Sequence, residues 1–84
     1  MKNPWLAARR RPQIEKYIRA IIVRLMGHSG IPAAKLVLDE SQVTKTVDYA
    51  ISLLDRMSTS DMLDEMEQIV ETTLTIDRNR FLKK

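Results

Sequence analysis

The sequence predicts an all-α fold, a small bundle of three to four helices, and three observations point to it. Apolar residues recur every three or four positions along most of the chain. No stretch alternates apolar and polar residues as a half-buried strand would. Residues that start and stop helices stand at the ends of the apolar stripes. The 84 residues are read as one domain, 1–84, with a basic N-terminal arm at 1–11 and a basic C-terminal tail at 78–84. A domain of this size buries only about 60–65% of its unfolded surface. With no cysteine and a single histidine, His28, it has neither disulfides nor a zinc site to reinforce it. Self-association is the remaining support, so a homo-oligomer is expected.

The elements follow in order. Asn3 and Pro4 are a helix start, because Asn caps and Pro fits the first helical position. Pro12 is expected to interrupt or restart that helix, since it lacks the N–H of a helix interior. From there Ile14, Ile18, Ile21, Ile22 and Leu25 form one stripe, and Gly27 and Gly30 bracket its end. Pro32 opens a segment with Ala33, Leu36, Val37 and Leu38. Asp39-Glu40-Ser41 can cap a further helix that carries Val43, Val47, Ala50, Ile51, Leu54 and Met57. The spacing over 32–57 allows two readings: two helices with a turn near 37–40, or one unbroken helix. Ser58 with Asp61 resembles a capping box and opens the last helix, which carries Leu63, Met66, Ile69, Val70, Thr73 and Leu74.

Charge is partitioned along the chain. Residues 1–36 carry a net +7, residues 37–77 a net −8 and residues 78–84 a net +4, together the overall +3. Two explanations stand side by side: the basic and acidic segments are neighbours in the fold or across a dimer, or the basic ends bind an anionic partner. Catalysis finds no support. There is no Cys/His pair and no Gly-rich phosphate loop, and the serines have one distant histidine to serve as base. No enzyme activity, metal, cofactor or small-molecule substrate is expected. Apolar runs are far too short for a membrane span. The acid Glu15 and a moderate apolar face argue against membrane-surface binding by helix 12–26. The cysteine-free composition fits the cytoplasm.

Residues 31–47, Ile-Pro-Ala-Ala-Lys-Leu-Val-Leu-Asp-Glu-Ser-Gln-Val-Thr-Lys-Thr-Val, resemble a DNA-binding helix-turn-helix. Ala33 stands where that motif has a small residue at the helix crossing, and Leu36, Leu38 and Val43 stand at its buried positions. The run Asp39 to Lys45 is similar to the turn and recognition helix of the lambda-type phage lysogeny activators, small all-helical transcription regulators. Val37 stands in place of the motif's turn glycine, so this turn must differ from the motif's or be absent. The resemblance implies groove insertion of a helix starting near Glu40. Ser41, Gln42, Thr44 and Lys45 would contact bases or backbone, with Lys35 and the Arg9-Arg10-Arg11 run on phosphates.

A DNA-binding transcription regulator is therefore the leading expectation. Its oligomer or partner interface is expected at Trp5, Leu63, Met66, Val70 and Phe81. The alternative is a helical protein-interaction module that modulates a larger protein, with residues 32–57 as one helix. Its contact would be the acidic last helix and a methionine-rich stripe that includes Met57, Met62 and Met66.

Overall fold

The computed structural model describes residues 4–83, with side chains from Arg9 onward. Three α-helices carry the fold: α1 (Pro4–His28), α2 (Glu40–Leu53) and α3 (Thr59–Ile76). A single 3-10 turn, Ala33–Lys35, lies between α1 and α2. Helix α1 is the spine. At 1.5 Å per residue its 25 residues account for most of the 41 Å long axis. It packs along both other helices, which touch each other over a shorter stretch.

Pro12 does not interrupt α1, against the sequence expectation; the helix runs through it. A proline there deletes one backbone hydrogen bond, and Pro12 is exposed, so water can reach the carbonyl it leaves unpaired. The helix ends by its own chemistry. Ile31 N–H donates to the Met26 carbonyl (3.2 Å) and Gly30 N–H to the Gly27 carbonyl (3.1 Å). This paired closure needs a left-handed residue, and Gly30 supplies it at φ 86°. Ile31 then turns inward and is buried beside Met26 in the core.

Residues 32–57 are two elements, not one helix. The 3-10 turn gives way to an extended stretch, and Asp39 caps α2 by accepting from Ser41 N–H at 2.9 Å. Ser58 caps α3 in the same way, its hydroxyl accepting from Asp61 N–H at 3.1 Å. Each cap satisfies a donor that the first helical turn would otherwise leave unpaired.

The core is one cluster. It takes Ile14, Ile18, Ile21, Ile22, Leu25 and Met26 from α1. From α2 come Val43, Val47, Ala50 and Leu53, and from α3 Met62, Met66, Val70 and Leu74. The α2 stripe also turns in Leu53, three residues after Ala50, while Ile51, Leu54 and Met57 pack against the core partly buried. After α3 the chain doubles back. Asp77 accepts from Asn79 N–H at 3.1 Å, and Phe81 drops into the core. Asp39 N–H donates to the Phe81 carbonyl (2.8 Å) and Lys83 N–H to the Val37 carbonyl (2.7 Å), which pins the tail across the entry to α2.

Candidate nucleic-acid interface

Two ion pairs place the N-terminal basic run beside α2. Arg11 meets Asp48 at 2.7 Å. Arg19 grips the Glu40 carboxylate with its two terminal guanidinium nitrogens, one of them at 3.1 Å, and its Nε donates to Glu15 at 3.1 Å. The residue numbers fall along α1 as they rise along α2, so the two helices are antiparallel. The hydrogen bonds from Arg19 hold the Glu40 carboxyl below its ordinary range, and Glu40 with Glu15 holds the guanidinium still more firmly charged.

These contacts decide much of the charge partition. The basic first segment and the acidic middle of the sequence are neighbours in the fold: α1 pairs with α2 at two points, and with α3 through Arg24 and Glu67 at 3.2 Å. On α2, Glu40 and Asp48 each have an arginine partner, while the exposed side presents Ser41, Thr44 and Lys45. Those three lie at helical spacing on one face, opposite Val43, Val47 and Ala50. Gln42 sits half-buried at the edge of that face, and its carbonyl accepts from the Thr46 hydroxyl at 2.8 Å. Lys35 is exposed on the 3-10 turn, and Lys83 is held against Val37 near the same end of α2.

The structure thus gathers Ser41, Thr44, Lys45 and Arg11 on the α2 flank, with Lys35 at one end. Arg10 points elsewhere, its guanidinium donating to the Thr59 hydroxyl on α3. Arg9, Arg10 and Arg11 belong to α1. Sequence reasoning missed Arg19. A signal was present, since Glu15 and Arg19 are four apart, but its reach to Glu40 is long-range.

Several expectations for this region change. The segment set against the first helix of a helix-turn-helix is one 3-10 turn with no buried residue, and Ala33 is exposed instead of packed at a crossing. Leu36 and Leu38 are half-buried, and Val43 alone of the three is fully buried. Val37 takes no left-handed conformation; it is extended and exposed, so the turn does differ from the motif's.

The expected interface also changes. Met66, Val70 and Phe81 are core residues, each under 5% exposed, so they are spent within the chain. Leu63 remains half-exposed, and the Trp5 side chain lies outside the described residues. Met62 is buried like Met66, so no methionine surface exists there. Comparison with protein-family models, curated proteins and solved structures finds no match for this chain.

Other chemistry is sparse. Among the described residues no group of three His, Asp or Glu side chains is placed to hold a metal ion. No described helix is long and apolar enough to cross a membrane. A polar cleft at the far end of α1 and α3 is lined by Arg24, His28, Ser29, Glu67, Glu71 and Thr75. A second, more apolar groove runs between the same helices nearer their N-terminal ends.

Proposed function

We propose that this chain is a small, non-enzymatic, cytoplasmic regulator of transcription that binds duplex DNA and presents α2 to the major groove. The observation that carries the reading is the pair of bridges Arg11–Asp48 and Arg19–Glu40. They offset the acids on α2 and set the basic run of α1 beside its exposed Ser41, Thr44 and Lys45. A helix with unpartnered carboxylates would repel phosphate, whereas this one offers hydroxyls and an ammonium. In this reading α2 takes the place of a recognition helix, and α1, not residues 31–37, braces it. Lys35 and Arg11 sit at the two ends of the face and hold phosphates on either side.

The test is a titration of fluorescent random-sequence duplex at about 50 and 200 mM salt, followed by site selection. Micromolar binding that collapses at the higher salt is expected. Gln42→Ala should then relax sequence preference, and Lys45→Ala should weaken binding to every sequence alike. No binding at the lower salt overturns the reading.

The acidic face of α3 favours a second reading, a module that docks a basic protein. From Thr59 to Ile76 the helix carries five acids and no Lys or Arg. The break before α2 and the burial of Met62 and Met66 remove the other features that reading relied on.

A further inference from the structure

The side of the molecule away from α2 has its own pattern. A groove between α1 and α3 is floored by Tyr17, Ala20, Ile21 and Leu63 and edged by Arg24, Asp64 and Glu67. Tyr17 is 39% exposed. The two helices are parallel, with Arg10 beside Thr59 at one end and Arg24 beside Glu67 further along. The banks of the groove differ in sign. The single acid of α1, Glu15, is turned toward α2 by its bond to Arg19, so the outward side of α1 presents Lys16 and Arg24 and no carboxylate. The facing bank on α3 presents Asp64 and Glu67 at the groove, with exposed Glu71 further along, and no cation.

A surface with an apolar floor, one basic bank and one acidic bank is complementary to itself. We propose that this groove docks a second copy of the chain about a two-fold axis parallel to the helices. That axis lays α1 of each copy on α3 of the other, basic bank on acidic bank, and covers both apolar floors. Tyr17 and Leu63 each lie midway between the Arg10–Thr59 and Arg24–Glu67 contacts, so the same register brings Lys16 of one copy toward Asp64 of the other. A two-fold axis perpendicular to the helices is disfavoured, because it lays α1 on α1 and sets Lys16 and Arg24 against their own kind. Burial of Tyr17 and Leu63 supplies the attraction and the charges select the register. The inference is independent of the DNA reading, which uses the opposite flank of α1.

Sedimentation equilibrium of the full chain tests it, at concentrations up to about 100 µM and at low and high salt. A dimer that weakens with salt is expected. Lys16→Glu and Asp64→Lys should each weaken it by roughly tenfold, since symmetry counts each reversal twice. Mixing those two variants in equal amounts should restore association, because one contact is then native and the other reversed in both signs. Leu63→Glu should give a monomer. If that variant fails to fold by circular dichroism, Ala20→Glu on the exposed surface replaces it. A monomeric wild-type chain, a dimer indifferent to Leu63→Glu or Ala20→Glu, or single reversals that mixing does not rescue would each overturn the proposal.

Discussion

The two seams of α1 are built from the same helix and close differently. Toward α2, the half-buried Arg11, Glu15 and Arg19 line the boundary, and two charge pairs bridge it. Toward α3, one pair, Arg24–Glu67, spans a groove whose floor includes Tyr17 and Leu63. Both seams rest on the same isoleucine stripe, so their difference comes from the flanking residues. Charge on one flank joins α1 to α2 within the chain. On the other, the Arg24–Glu67 pair joins α1 to α3 and the groove beside it stays open. A sealed seam frees the outer face of α2 to meet a ligand, while an open seam leaves its own walls to be covered.

The largest effect should come from removing what the seams share. Ile18 is fully buried at the centre of the stripe. Ile18→Ala should cost roughly 3 kcal/mol, from lost burial and the cavity left behind. Urea unfolding followed by circular dichroism would show it, and an unchanged midpoint would mean that the three helices do not share one core. A smaller change should act at the end of α1. Gly30→Ala places a Cβ at φ 86°, where side chains are strained whatever the space around them. A loss of about 1–2 kcal/mol is expected in the same measurement.

The smallest effect sharpens the comparison by pH. Glu40 titrates below its ordinary range in the folded chain because Arg19 hydrogen-bonds its charged form. Its contribution is therefore complete above the ordinary carboxylate pKa and is lost as pH falls through the lowered folded value. Thermal midpoints should fall on acidification, and Glu40→Gln should flatten part of that slope. Arg24→Gln, on the other seam, should change stability by less than about 1 kcal/mol, as exposed pairs do. If Arg24→Gln flattened the acid slope more than Glu40→Gln, the contrast between the seams would be lost.

Much of this architecture was legible in advance where the physics is local. The caps Asp39 and Ser58, the stop at Gly27–Gly30 and the inward stripes of α1 and α2 depend on residues within about four positions of each other. The candidate face on α2 was partly legible: Ser41, Thr44 and Lys45 share an exposed face as their spacing implies. The place of Arg11 and Arg19 beside it was not, because 37 and 21 residues separate them from Asp48 and Glu40.

What the sequence alone determined was an all-helical chain of amphipathic stripes, the caps Asp39 and Ser58 and the segregation of charge. Tertiary structure decided how each amphipathic surface was used. Met66, Val70 and Phe81 read equally well as core or as interface, because burial against one's own chain and against another's favour the same side chains. Only the packing of α3 on α1, and the return of the tail across Val37 to Asp39, assigned them to the core. Those contacts join residues far apart in the chain, and no local pattern specifies which apolar stripe will meet which.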